Sequence, residues 1–560
     1  MKPALPRGLR LFFVVSSMLS SSAWLSLRAA QTWQMEEITL TAAAGPAIPA
    51  IDVAVIAEFT APDRRVIRVS GFWDGGRTWR VRFTPTTPGA WRYRIASAPA
   101  LAGLAREGSL EVAAAPREAR GFLRRHPDFP QSFRFDGSGE PFFMWGNTAY
   151  HLVATAQTGA PWRAALASMR AAGLNKVRFH IGSIPVFDKA GPHPASPAFL
   201  DRDTTRPNPA HWRAVDEVVR ACAEHGLLAD LIVNPYIRVV GDDDSTVRDD
   251  RHRRHVIARY AAFPHVMWCL TNEWNYSRYP REFWNDLGKK IAAEDPWTLD
   301  PATRDARMPR ALSIHQQTRP DWNFPDDTWP SHVIIQFGVR NRGTTARVGD
   351  EWNQAAAKSG AVFRFGDDWG NHSIVRSWNG RHPVVNDEYG YIGEPQDNSE
   401  PRRPGGSIAA YTREKHRRTA WAIAVGGGYG AAGDKRDFPS GRPYFSGRWQ
   451  PAPEYDDLSR LIAFFTRGDI PFWRMRPAND LVRGTPRAYA LAEAGRCYVI
   501  YAATGGKIFV QFPAGNFTAT RFDPRTGTET PVPLRSDADG SAVALEAPDG
   551  DDWVFRVSAL

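Results

Sequence analysis

The chain has 560 residues, 43% of them hydrophobic and 23% charged, with a formal net charge of +10. That balance excludes a disordered or fibrous protein, and at about 150 residues per domain it provides for two to four domains. Three cysteines, Cys222, Cys269 and Cys497, exclude a disulfide-knit scaffold and a cysteine-built zinc ribbon.

The chain opens on an export signature. Lys2, Arg7 and Arg10 precede a mostly apolar run over residues 11–27, and Ala29 and Ala30 follow, so a signal peptide is expected over residues 1–30. The run is short and serine-diluted for a retained membrane helix, and no other stretch approaches the roughly 20 apolar residues of a span. The mature protein is therefore expected to be soluble and secreted or periplasmic, its formal charge reduced from +10 to +6 by loss of Lys2, Arg7, Arg10 and Arg28. The basic run from Arg251 to His255 lies among Asp242, Asp243, Asp244, Asp249 and Asp250. Mixed signs of this kind mark a solvated face, and no nucleic-acid partner is expected.

Residues 31–117 read as all-β. Val66-Ile67-Arg68-Val69 and Trp79-Arg80-Val81-Arg82-Phe83 alternate apolar and charged, the period of half-buried strands. Asp74-Gly75-Gly76 predicts a hairpin turn, and Pro88-Gly89 turns the chain into Trp91-Arg92-Tyr93-Arg94. The pattern predicts a small β-sandwich. Residues 118–478 change rhythm. Eight β runs are expected: Phe142-Phe143-Met144-Trp145, Lys176-Val177-Arg178-Phe179-His180, and residues 227–233, 266–271, 311–315, 332–337, 383–386 and 427–433. Helical stretches fall between them at residues 162–172, 211–225, 251–262 and 411–424. Repeated βα units imply parallel, buried strands, and eight of them fit a (β/α)8 barrel, with a doubly wound sheet as the other topology. Residues 479–560 return to alternation and predict a second sandwich. The expected fold class is α/β, a (β/α)8 TIM barrel flanked by two small all-β sandwich domains.

Two of the apolar runs end in groups that carry chemistry. Val266-Met267-Trp268-Cys269-Leu270-Thr271 runs into Asn272 and Glu273, and Pro383-Val384-Val385-Asn386 runs into Asp387 and Glu388. In a parallel barrel the C-terminal strand ends share one mouth, where catalytic groups sit. Glycoside hydrolysis needs two carboxyl groups there, one protonated and one ionised. A lone glutamate after a strand is usually solvated; two such endings, one preceded by Asn, favour a paired site.

These segments resemble a known group. Thr271-Asn272-Glu273-Trp274 is similar to the strand-four signature of retaining (β/α)8 glycoside hydrolases of clan A, and Asn386-Asp387-Glu388-Tyr389-Gly390 to their strand-seven nucleophile segment. Phe142 to Leu152, with Gly146-Asn147-Thr148-Ala149-Tyr150-His151-Leu152, resembles the first strand of the apiosidase-like hydrolases, which usually carry Asp at the position of Asn147. Residues 69–75 and 83–93 resemble an immunoglobulin-like domain found before such barrels. Phe522-Asp523-Pro524-Arg525-Thr526-Gly527 and the final strands resemble a C-terminal module named for collagen binding. The resemblance implies Glu273 as acid/base, Glu388 as nucleophile, Asn272 on the sugar 2-hydroxyl and Arg178 as the arginine that orients the nucleophile. A guanidinium nearby keeps Glu388 ionised, while a drier pocket favours protonated Glu273. His315, Gln336, Tyr236, Asn147 and Trp145 are further candidates for touching substrate, with Asn234, Trp274 and Trp369 behind them. The expected partner is a poly- or oligosaccharide, with no cofactor and no metal. A non-catalytic carbohydrate-binding protein is the alternative.

Other motifs carry less. Gly428-Tyr429-Gly430-Ala431-Ala432-Gly433 matches G-x-G-x-x-G, but no helix follows, so no dinucleotide site is assigned. Gly241-Asp242-Asp243-Asp244 lacks the spacing of a calcium loop. His252 and His255 lack H-E-x-x-H, and no G-x-S-x-G elbow occurs. A glycan on the sequon Asn275-Tyr276-Ser277 would crowd Glu273, which favours a bacterial exported protein.

Overall fold

The computed structural model describes residues 30–157, 162–182, 197–201, 203–234, 245–301, 303–317, 322–325, 327–336, 367–392, 412–434, 452–485, 487–536 and 542–560. The signal segment expected over residues 1–30 lies almost wholly outside them, as does the acidic loop at Gly241 to Asp244. Among the described residues no helix is long and apolar enough to cross a membrane.

The middle of the chain builds one parallel sheet. Its strands are β1 (Trp145–Thr148), β2 (Lys176–His180), β3 (Leu228–Asn234), β4 (Val266–Thr271), β5 in two pieces (Leu312–Ser313 and His315–Gln317), β6 (Val333–Gln336), β7 (Val384–Asn386) and β8 (Tyr429–Asp434). They hydrogen-bond in the order β5–β4–β3–β2–β1–β8–β7–β6–β5. Both ends of the sheet thus belong to one run of chain, interrupted at Ile314: Leu312–Ser313 pairs β4 and His315–Gln317 pairs β6. The sheet is a nearly closed ring of nine strand segments, with Tyr391–Ile392 pairing β8 off the ring, and its burial on both faces is why most of its strands read as apolar runs.

Helices pack outside the ring: α1 (Leu152–Gln157), α2 (Trp162–Ala171), α3 (Pro209–Glu224), α4 (Asp250–Tyr260), α5 (Arg281–Glu294), α6 (Asp367–Ser377), α7 (Arg413–Val425) and α8 (Pro453–Thr466). Their starts follow local rules. Asn208 caps α3 by accepting from Ala210 N, with Pro209 in its first turn. Asp249 and Thr412 cap α4 and α7 in the same way.

One expected strand shifts. The run Phe142 to Trp145 does not form the first ring strand, which begins at Trp145. Phe142 instead pairs with Phe133 in a small sheet of Leu123–Arg125, Phe133–Phe135 and Pro141–Phe142, and Phe143 stacks on Phe465 of α8 at 4.8 Å. The G-x-G-x-x-G segment is β8. Its glycines answer to packing: a Cβ at Gly430 would meet the Trp145 ring at 2.8 Å, and one at Gly428 the Ile374 side chain at 2.6 Å.

Before the ring, a five-stranded and a three-stranded sheet face each other. Phe59 stacks on Phe83 between them, and Trp79 and Trp91 are fully buried. Gly75 and Gly76 make the hairpin turn at positive φ. After the ring, a six-stranded and a four-stranded sheet enclose a core of their own, built on Ile500, Ile508, Leu545 and Phe555. The N-terminal pair docks on α3 and α4 through ions. Arg82 reaches Asp216 at 2.6 Å and Glu37 at 2.8 Å, and Arg259 reaches Asp216 and Asp74 at 2.9 Å. The C-terminal pair docks on α7 through Arg417 and Asp552 at 2.6 Å.

Candidate active site

Because every ring strand runs the same way, their C-terminal ends lie along one edge. Asn272 and Glu273 follow β4 there, Asp387 and Glu388 follow β7, His180 ends β2, His315 sits in β5, and Gln336 ends β6. Glu273 is 7% exposed and Glu388 6%.

The ring interior below this edge is ionic. Lys176 and Arg178 alternate inward on β2. Lys176 Nζ donates to Asp230 of β3 at 3.1 Å and to Asp387, and Arg178 Nε lies 3.6 Å from Asp387. All four side chains are 0% exposed. Buried charges persist only when paired, and here two cations meet two carboxylates. Burial alone would raise Asp387, but Lys176 and Arg178 outweigh it and hold the group below the usual carboxylate range. Burial and the charge of Asp387 leave Asp230 raised.

Arg178 carries this network up to the edge. Its Nη2 donates to Asn272 Oδ1 at 2.6 Å and lies 3.8 Å from Cys269 Sγ. Asn272 Oδ1 also faces the Tyr150 hydroxyl at 3.3 Å. The Asn272 oxygen is thus held by the protein from two sides. The Tyr150 hydroxyl donates to Glu388 Oε2. Burial first, then the charges of Glu388 and Glu273, push the phenol well above its ordinary value against the pull of Arg178, so it stays protonated.

Glu273 is held through its backbone. Its φ is 46°, the left-handed region, which side-chain-bearing residues adopt at a cost of about 1–2 kcal/mol. The turn aims its N–H at His315 Nδ1, 3.0 Å away, while its carbonyl accepts from Tyr276 N at 2.9 Å. Accepting at Nδ1 places the His315 proton on Nε2, which has no hydrogen-bond partner among the described residues. Burial, with Arg178 and Lys176 nearby, holds His315 far below the ordinary histidine range, and burial with Arg178 does the same for His180. Both rings are neutral.

The candidates thus divide. Glu273, Glu388, Asn272, Arg178 and His315 come together at one edge. Gln336 ends β6 on the same edge, its Oε1 buried and without a hydrogen-bond partner among the described residues. Trp274 is buried there against Phe324, and Asn234 ties its amide to Leu270 O at 2.8 Å. Trp145 and Asn147 go elsewhere. They alternate with Gly146 and Thr148, which register with the inward Lys176 and Arg178, so they point to the helix layer. Trp145 packs beside Phe143 and Tyr389, and Asn147 Nδ2 donates to Tyr455 Oη of α8 at 2.9 Å. Tyr236 and the Trp369 side chain lie outside the described residues. The sequence reading gave no role to Tyr150, Lys176, Asp230 or Asp387. Lys176 and Asp230, each inside an expected β run, were the available signals, since burial of either charge demands a partner of opposite sign.

The fold is one that solved glycosidase structures share. A candidate glycoside hydrolase of Bacteroides vulgatus is 19% identical at a TM-score of 0.69, with 95% of this chain and 100% of that one covered. A family 5 glycoside hydrolase from the same organism is 17% identical at 0.56, covering 79% and 93%. The chain belongs to the apiosidase-like family, whose catalytic-domain model matches residues 131–433. A domain of unknown function (DUF5060) matches residues 29–98. No curated protein matches the sequence.

Proposed function

We propose that the protein is an exported glycoside hydrolase that cleaves O-glycosidic bonds of a poly- or oligosaccharide with retention, on a (β/α)8 barrel spanning residues 118–478. The observation that carries this reading is the pair Glu273 and Glu388 at the ends of β4 and β7, on one edge of a parallel ring and both bearing on the Tyr150 hydroxyl. Membership in the apiosidase-like family supports it, and residues 1–30 are read as the export signal. The flanking sheet pairs, residues 31–117 and 479–560, are read as an immunoglobulin-like domain and a second sandwich that brace the barrel.

Glu388 attacks the anomeric carbon as the bond to the leaving oxygen breaks, and Glu273 gives that oxygen its proton. Glu273 then takes a proton from water, which attacks the anomeric carbon, releases the sugar and restores the Glu388 carboxylate. Asn272 Nδ2 faces the sugar, with its Oδ1 pinned by Arg178. A polysaccharide panel would name the sugar.

Two variants test the roles. Glu388→Ala is expected to lower kcat by roughly 10⁴-fold or more, and azide to restore a reaction that yields a glycosyl azide of inverted configuration. Glu273→Ala should still be glycosylated by a dinitrophenyl glycoside, whose leaving group needs no proton. It should give a burst and then slow turnover, which azide accelerates with retention. The opposite pattern would exchange the roles, and wild-type rates in both variants would end the catalytic reading in favour of carbohydrate binding alone.

A further inference from the structure

The two-carboxylate scheme leaves one hydroxyl unassigned, although it touches the residues that carry the scheme. Tyr150 follows β1 and is clamped to β2 by its backbone: Ala149 N donates to Arg178 O at 2.8 Å, and His180 N to Tyr150 O at 3.2 Å. Its ring lies between two β2 side chains, with Arg178 Cζ 5.8 Å from the ring centroid and the His180 ring at 5.5 Å. The clamp directs the hydroxyl at two acceptors, Glu388 Oε2 and Asn272 Oδ1.

One hydroxyl has one proton to give. Asn272 Oδ1 is already served by Arg178 Nη2, and a carboxylate is the stronger acceptor, so in the free enzyme the hydroxyl donates to Glu388. Esterification of Glu388 by the sugar removes that charge and reverses the order, because an ester oxygen accepts more weakly than an amide oxygen. We propose that Tyr150 is a positioning residue whose hydroxyl holds Glu388 while it is a free carboxylate and turns to Asn272 once Glu388 carries the sugar. The proposal rests on Glu388 being the nucleophile. The tyrosine makes and breaks no covalent bond; its O–H rotates between two acceptors. In the covalent intermediate the Asn272 amide plane is then fixed from two sides, by Arg178 and Tyr150, with Nδ2 toward the sugar 2-hydroxyl. Among the described residues, the charged and titratable groups placed around the phenol include Glu388 from the end of β7, Glu273 from the end of β4, Cys269 from β4, and Arg178 and His180 from β2.

Tyr150→Phe keeps the ring and its packing and removes the hydroxyl alone. Its kcat/KM is expected to fall about 10²-fold, the usual effect of one lost donor at a reacting carboxylate. The acid limb of the kcat/KM profile should move up by about one pH unit, because the ionised nucleophile has lost a hydrogen bond. The penalty that wild type shows for a 2-deoxy substrate should shrink, while the unfolding temperature stays unchanged. If Tyr150→Phe keeps the wild-type rate, acid limb and 2-deoxy penalty while Glu388→Ala is inactive, the tyrosine proposal falls and the nucleophile stands. If Glu388→Ala keeps its activity, both fall.

Discussion

In the proposed mechanism Glu273 is the acid, and it depends on a neighbour that gives the leaving group no proton of its own. His315 accepts the Glu273 N–H at Nδ1 and fixes the left-handed turn from which the carboxyl is presented. Because His315 is neutral, this support does not switch with pH across the working range. His315→Ala is expected to lower kcat about 10- to 100-fold through misplacement of the acid. The loss should be larger for aryl glycosides with poor leaving groups than for dinitrophenyl glycosides, since only the former need the proton. Rates across a leaving-group series check this, and an equal loss for all substrates would assign His315 to the sugar instead. The two glutamates were readable in the sequence, because each closely follows an apolar run, at the strand end where a parallel ring opens. The Tyr150 contact was not, since 238 positions separate it from Glu388 and no local pattern joins them.

Among elements, most ring strands were legible by their largely apolar sequence, and the run at residues 266–271 agrees with β4 end for end. The failure at Phe142 to Trp145 has a physical cause. A run of aromatics states burial without stating against what, and Phe142 and Phe143 are buried outside the ring. Docking between elements was equally silent. Nothing in the sequence marked Arg82 or Arg259 as partners, yet each side chain is 1% exposed and both converge on Asp216 of α3. Burial would raise Asp216, but the two guanidiniums overcome it and keep the carboxyl well below its ordinary range. Asp216→Ala leaves two buried cations short of a partner and should cost about 3–5 kcal/mol. Glu217→Ala, one residue along the same helix, removes an exposed pair with Arg163 and should cost less than about 0.5 kcal/mol. Chemical denaturation of both variants measures the contrast, and equal costs would refute the docking role of Asp216.

At the scale of the molecule, acid is the expected weakness. Burial lowers His252, His265 and His382 to about 4, and His332 and His416 to about 3. These rings are neutral in the folded protein, whereas in the unfolded chain each takes a proton below about pH 6.5. Their contribution is therefore unchanged above that pH. It is lost as pH falls from about 6.5 toward 4, by about 1.4 kcal/mol per pH unit for each histidine. The unfolding temperature should be level between pH 7 and 8 and drop steeply below 6.5. An unfolding temperature at pH 4.5 equal to that at pH 7.5 would show the histidines to be accessible to protons in the fold. Two in helices and three just before ring strands, these histidines make the acid transition a property of the barrel rather than of the flanking sheets.

The left-handed backbone at Glu273 also bears on descent. Glycine occupies that conformation without steric penalty, and it would remove a buried carboxyl. Under the proposed mechanism, selection for turnover, and not backbone preference, is what retains a side chain there. In a lineage released from that selection, position 273 is where drift toward glycine meets least resistance. A descendant with glycine at 273 and Glu388 intact would mark a lost activity in a fold that had lost nothing.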